Sequence, residues 1–206
     1  MGSVAVGRVR AANIDAVTLD AYDTLLTLID PVPRLQELLP AYDSEAIRAA
    51  FLAEAEYYRA HSWEAADEDS TAAFHAACAR TFNEALGSSL SSDEYNATMR
   101  FELLPGTVEA LELLRGLGVS LAVVGNWDFT LHQRLSESGL IGFFPVVVPA
   151  ANKPAPDGIL RALTELRIEP ARALHVGDEQ SDEEAARAAG VHFASAPLTD
   201  AVAALA

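Results

Sequence analysis

The sequence predicts an α/β fold: a Rossmann-like, doubly wound parallel sheet with a four-helix insertion after its first strand. Three observations carry the prediction. The apolar, β-branched run at Ala16-Val17-Thr18-Leu19 stops abruptly at Asp20 and Asp23, as a strand buried on both faces does in the middle of a parallel sheet. From Leu104 onward short apolar runs alternate with helix-patterned segments, the order that crossovers between parallel strands require. Between the two, from Pro31 to about Arg100, helical spacing and abundant Ala, Glu and Leu run through a stretch without glycine between Gly7 and Gly87, as packed helices do.

Taken in order, residues 1–13 read as a loose leader, and with no apolar segment before Asn13 a secretory signal is not expected. The first strand and the Asp20 loop follow. Helical spacing then covers Leu35–Leu39, Glu45–Arg59, Thr71–Leu86 and Asp93–Phe101, with Ser44, Ser70 and Ser92 as candidate N-caps. Pro105-Gly106 opens a helix that Gly118 stops, and Val119–Val124 is an apolar strand. Thr130–Ser138 is a short helix closed by Gly139, Phe144–Val148 a strand, and Asp157–Leu166 a helix that Asp157 is placed to cap. Ala173–Val176 is the next strand, and Ser181-Asp182-Glu183-Glu184 has capping-box spacing ahead of a helix ending at Gly190. Val191–Ala194 and Leu198–Leu205 close the chain as strand and helix. The division that results is an α/β core over 1–30 and 101–206 and a helical cap domain over 31–100.

The 206 residues fit one domain with an insertion. The net charge of −16 argues against nucleic acid or an anionic membrane as partner, since either needs a basic face. Cys78 is the sole cysteine and no apolar run reaches membrane-spanning length, so a cytoplasmic, reducing home is expected. A small-molecule substrate and either a monomer or a homodimer fit this picture. The charge opposes a phosphorylated substrate unless a divalent cation reverses the local field.

From the residues alone, Asp20 is either a ligand-facing carboxylate at a strand's carboxyl end or the cap of the next turn. A resemblance separates the two. Asp20-Ala21-Tyr22-Asp23-Thr24-Leu25 resembles the first motif of the haloacid dehalogenase superfamily. Val119 to Asn126 resembles the second, Lys153-Pro154-Ala155-Pro156-Asp157 the third, and His175-Val176-Gly177-Asp178 with Asp182 the fourth. The four stand in the family's order and span nearly the whole chain. The resemblance implies a small helical cap that closes over the site and selects the substrate.

It also implies roles. Asp20 is the nucleophile, which leaves an acyl-phosphate or ester for water to cleave. Asp20, Asp178 and the Tyr22 backbone carbonyl hold Mg²⁺, and Asp182 is either acidic support for the metal, the favoured reading, or a first-turn helix carboxylate. Lys153 stabilises negative charge. Asn126 and nearby amides hydrogen-bond a substrate oxyanion, Trp127 walls the pocket or packs as core, and Thr24 ties down the Asp20 loop. In the insertion Tyr57, Tyr58, Arg59, His61 and Trp63 either face the site or pack between helices. His75 and His175 read as structural, and Cys78 as buried.

Several positions depart from the family pattern. Phosphatases of the superfamily carry a second Asp two residues after the nucleophile, as general acid and base. Here Tyr22 stands there, as it does in the 2-haloacid dehalogenases, whose halide leaves without a proton. Gly177-Asp178, however, is the metal-binding form of the fourth motif, not the dehalogenase form. Gly125 replaces the Ser or Thr that ends the second motif, Asp23 replaces a common Gly, and the segment before Lys153 is shorter than usual. The expectation is a Mg²⁺-dependent phosphatase of a small phosphorylated metabolite, slowed by these changes. The alternatives are a catalytically degenerate binding protein and a 2-haloacid dehalogenase.

Overall fold

The computed structural model describes residues 14–205; the leader expected over residues 1–13 lies outside them. Strand β1 (Ala16–Leu19) is buried along its whole length, because its alternate side chains serve two separate cores. Val17 and Leu19 join one apolar cluster and Ala16 the other, as the two-residue period of a strand dictates. The chain then turns through the Asp20 loop into β2 (Leu26–Ile29) and enters the helices α1 (Val32–Leu38), α2 (Ser44–His61), α3 (Glu68–Leu86) and α4 (Ser92–Asn96). It returns through β3 (Arg100–Leu103), which pairs antiparallel with β2.

That ribbon corrects the expected fourth helix, which ends at Asn96 and does not run on to Phe101. Arg100 and Glu102 are exposed while Phe101 and Leu103 are half-buried, an alternation of period 2 that only a strand can place on one side. The helix starts are corrected too. The caps are Asp43, Asp67 and Ser91, each with its side chain accepting the amide three residues on. Ser44 and Ser92 are first helical residues, and Ser70 is the third-position partner in the Asp67 capping box. Gly87 ends α3 at φ 76°, a conformation glycine adopts without a Cβ penalty.

After β3 come α5 (Thr107–Gly116), β4 (Ser120–Val124), α6 (Leu131–Glu137), β5 (Val146–Val148) and α7 (Asp157–Leu166). The chain closes with β6 (Ala173–Gly177), α8 (Gln180–Ala189), β7 (His192–Ser195) and α9 (Leu198–Ala203). Asp157 is the first residue of α7, not its cap; Pro156 holds the cap position and makes no side-chain bond. The five core strands are all parallel, in the order β5-β4-β1-β6-β7. One face carries Leu111, Leu114, Leu131, Leu135 and Val202, and the other Ile159, Ala162, Leu163, Ala185 and Ala186. The inserted helices have clusters of their own, one around Leu35, Ile47, Phe82 and Tyr95 and one around Phe74 and Cys78. Central β1 therefore delivers Asp20 to the carboxyl edge of the sheet, between the ends of β4 and β6 and facing the inserted helices. No helix of the described residues is long and apolar enough to cross a membrane.

Candidate active site

Four charged side chains meet where β1, β5 and β6 end. Asp20 leaves β1 and is 7% exposed. Lys153 follows β5 and its ammonium donates to Asp20 Oδ1 and, at 2.5 Å, to Asp182 Oδ1. Asp182, in the first turn of α8, also accepts His175 Nε2 at 3.1 Å on Oδ1 and the Glu179 amide at 3.1 Å on Oδ2. Asp178 follows the last residue of β6 and stands exposed at the rim. Asp20, Asp178 and Asp182 each offer a carboxylate oxygen, and these lie within 4.8 Å of one another.

The loops are shaped to hold this cluster. The Lys153 loop turns through Ala150 and Asn152 at φ 50° and 55°. Asn126 fastens it from both sides: its Oδ1 accepts the Lys153 amide at 2.7 Å, and its Nδ2 donates to the Lys153 carbonyl at 2.9 Å. Asn126 therefore positions the lysine here, where the resemblance implies an oxyanion donor. Thr24 is buried and donates to Asp178 Oδ1 at 3.4 Å, tying the Asp20 loop to the end of β6. Gly177 is required by space. A Cβ there would lie 2.3 Å from Asp182 Cγ.

Burial pushes the Asp20 carboxyl up to about 6; Lys153 opposes that shift and Asp182 adds to it. Asp182 is also penalised by burial, but the hydrogen bond from His175 and the Lys153 charge pull it down to about 2. Burial works against the Lys153 charge, and the two carboxylates outweigh it and raise its pKa. Burial lowers His175, so the ring is neutral, its Nε2–H donating to Asp182 and its Nδ1 accepting from Thr18 Oγ1 at 2.9 Å. At neutral pH the site is thus a charged lysine between two ionised carboxylates. Burial, with Asp182 and Glu179 nearby, raises Asp178, as desolvation and neighbouring like charges do.

Tyr22 is 43% exposed and sets its ring edge-on to Trp127 at 6.3 Å. Burial and Asp23 push its phenol higher still, so it holds its proton. Asp23 adopts φ 50° and accepts the Thr27 hydroxyl at 2.7 Å. Gly125 is not needed for packing, because an added Cβ would meet Leu131 and Ala21 at 3.5 and 3.7 Å, ordinary contact distances.

A cavity of about 500 Å³ lies between these residues and the inserted helices. Of the aromatic and basic group in the insertion, Tyr58 and Arg59 line it. Tyr57 instead stacks on His61 at 4.3 Å, and Trp63 is 45% exposed. A network the sequence did not reveal spans the cavity wall. Asp128 Oδ2 accepts Tyr58 Oη and His75 Nε2, both at 2.9 Å, and Oδ1 accepts the Thr130 amide and hydroxyl. Tyr58, His75 and Asp128 lie in different segments, so no local spacing could have signalled their meeting.

A family model described as haloacid dehalogenase-like hydrolase matches residues 57–196. Haloacid dehalogenase-like hydrolase domain-containing protein 3 of Xenopus laevis is 34% identical over 104 residues, 48% of this chain and 43% of that protein. A phosphoglycolate phosphatase of Nitrosococcus oceani is 37% identical over 100 residues, 46% of this chain and 44% of its own length. The chain thus spans less than half the length of these curated relatives. Among solved structures, the L-2-haloacid dehalogenase of Xanthobacter autotrophicus superposes with a TM-score of 0.64 at 22% identity, covering 88% of this chain and 77% of that one. The HAD phosphatase from Thermococcus onnurineus does so at 0.60 and 24%, covering 87% and 85%. These structural likenesses show a shared fold.

Proposed function

Because the chain belongs to the haloacid dehalogenase-like hydrolases, we propose that it is a phosphatase of small phosphorylated metabolites, working through Asp20. The observation that carries the reading is the cluster itself: a buried carboxylate at the end of the central strand, paired with a buried lysine and flanked by two further carboxylates. Asp20 attacks phosphorus, forming an Oδ–P bond as the bond to the leaving oxygen breaks, and water then cleaves the acyl-phosphate to release inorganic phosphate. Lys153, held by Asp182 and Asn126, keeps its positive charge beside the reacting oxygens. Tyr22 holds its proton too firmly to serve the leaving alkoxide, so turnover is slow.

The donor set fits Mg²⁺, a hard cation that takes oxygen ligands. Asp20, Asp178 and the Tyr22 carbonyl would hold it, with Asp182 behind them, since both Asp182 oxygens already accept hydrogen bonds. When bound, the ion supplies positive charge against the phosphoryl oxygens. The helices from 32 to 96 act as a cap on the β2–β3 ribbon, closing over the site. The net charge of −16 and the buried Cys78 suit a small substrate in a reducing cytoplasm, for a monomer or a homodimer alike.

Tyr22 favours a second reading, metal-free dehalogenation of a 2-haloacid, whereas Gly177-Asp178 favours the phosphatase. A panel of phosphorylated metabolites and 2-chloropropionate, assayed with and without Mg²⁺, separates them. Phosphate release that needs Mg²⁺ and vanishes in Asp20→Asn is the expected outcome, together with calorimetric Mg²⁺ binding that Asp178→Ala abolishes. Metal-independent chloride release would establish the second reading. Ligand binding without turnover of either kind would mark a binding protein.

A further inference from the structure

The cavity's charge distribution points to the kind of alcohol the phosphate is attached to. The phosphoryl end is Asp20, Lys153 and Asp178, and Arg59 lines the cavity from an exposed position. Beyond it the walls are Leu28, Phe51, Leu52, Met99 and Phe101, with Trp127 packed between Phe101 and Tyr22. Two carboxyl groups are buried in this inner half, Glu54 at 5% and Asp128 at 1% exposure. Tyr95 Oη donates to Glu54 Oε2 at 2.8 Å, and Asp128 is occupied by Tyr58, His75 and Thr130. Of the basic groups there, His75 is committed to Asp128. Arg134 is committed to Glu137 at 3.0 Å and to the Phe101 ring at 5.4 Å.

We infer that the site takes a phosphomonoester of a bulky, uncharged, largely apolar alcohol, aryl or branched-chain, rather than a short ester carrying a second carboxylate. A cavity of about 500 Å³ is of the size that accepts whole drug-like molecules, far more than a two-carbon acid fills. Apolar leaving groups gain from covering these walls. An anionic one would meet the Asp128 carboxylate, which His75 and Thr130 hold below the usual carboxylate range, and the buried Glu54 carboxyl, in a desolvated space whose His75 and Arg134 are already paired, where an unpaired charge is strongly disfavoured. This rests on the phosphatase reading for the phosphoryl end; the claim about the inner half is its own.

Binding of stable phosphonates tests it without turnover. The chain has two tryptophans, so Trp63→Phe leaves Trp127 in the cavity wall as a fluorescence reporter. In the presence of Mg²⁺, benzylphosphonate is expected to bind at least tenfold tighter than phosphonoacetate, and Asp128→Asn, which removes the inner carboxylate and frees His75, to narrow that ratio by strengthening phosphonoacetate. Phosphonoacetate binding as tightly as benzylphosphonate overturns the inference. If inorganic phosphate binds and benzylphosphonate gains nothing over it, the inference falls while the phosphatase reading stands. If neither phosphonate nor inorganic phosphate binds, both fall.

Discussion

Replacing Gly177 by alanine should cost the protein several kilocalories through one neighbour. The glycine is a buried residue at the end of β6, and its φ is not positive, so backbone conformation does not demand it. Space does: an added Cβ would stand 2.3 Å from Asp182 Cγ, 2.5 Å from Oδ2 and 2.6 Å from Cβ. Carbon atoms rest at about 3.5–4.0 Å, so the Asp182 side chain must retreat by about an ångström. Overpacking of this kind costs about 1–3 kcal/mol. The retreat also stretches the hydrogen bonds from Lys153 and His175, and bonds to charged groups are worth about 1.5–3 kcal/mol. A combined loss of about 3–5 kcal/mol corresponds to a fall in Tm of about 6–20 °C for a chain of this size, at about 2–4 °C per kcal/mol. Thermal denaturation in metal-free buffer reads it directly. A double-mutant cycle assigns it: in an Asp182→Gly background, which removes the three atoms nearest the new Cβ, Gly177→Ala should cost under about 1 kcal/mol. A single variant within 2 °C of wild type, or the same penalty in both backgrounds, would refute the steric account.

Tyr22→Asp should raise turnover of alkyl phosphates by up to about 10²-fold, the range of one general acid–base group, with little effect on aryl phosphates. Because Tyr22 is 43% exposed, the fold should tolerate the change, and Gly125→Ser, which the local spacing admits, should add to the gain; a folded variant with no gain on any alkyl phosphate argues against a phosphatase lacking its acid. Asp128 yields a pH dependence. Burial would raise its carboxyl, but the bonds from His75 and Thr130 prevail and hold it below the usual value. A depressed carboxylate stabilises the fold above its unfolded pKa of about 3.9 and loses that contribution as pH falls through the folded value. The stability gap between wild type and Asp128→Asn, measured by urea denaturation, should therefore be full at pH 6 and shrink toward pH 2, and a gap that widens on acidification contradicts the assignment.

The order of strands and helices was legible because it rests on local patterns. The buried run before Asp20, the short apolar segments at Val119–Val124 and Ala173–Val176, and the stops at Gly118, Gly139 and Gly190 each declare themselves within a few residues. Asp20, Lys153, Asp178 and Asp182 could be named as candidates only because their motifs resemble the superfamily's; the doubly wound sheet then gathers them on one edge. What failed locally was the β2–β3 ribbon, where Arg100–Leu103 takes its strand form from pairing with Leu26–Ile29, and the helix caps, where Asp43, Asp67 and Ser91, one to three residues earlier, take the place of Ser44, Ser70 and Ser92.

The tertiary structure alone decided which side chains are spent on one another. Asn126 could be any polar residue after a strand until the fold sets the Lys153 backbone against both of its amide atoms. Asp182 could be an ordinary first-turn acid until β6 brings His175 beneath it and β5 brings Lys153 across it. The Tyr58–His75–Asp128 network and the acidic inner wall at Glu54 come from segments dozens of residues apart, joined only when the inserted helices fold back over the sheet. Sequence sets the chemistry each position offers through short-range periodicity; partners, burial and charge balance depend on long-range packing, which local periodicity does not encode.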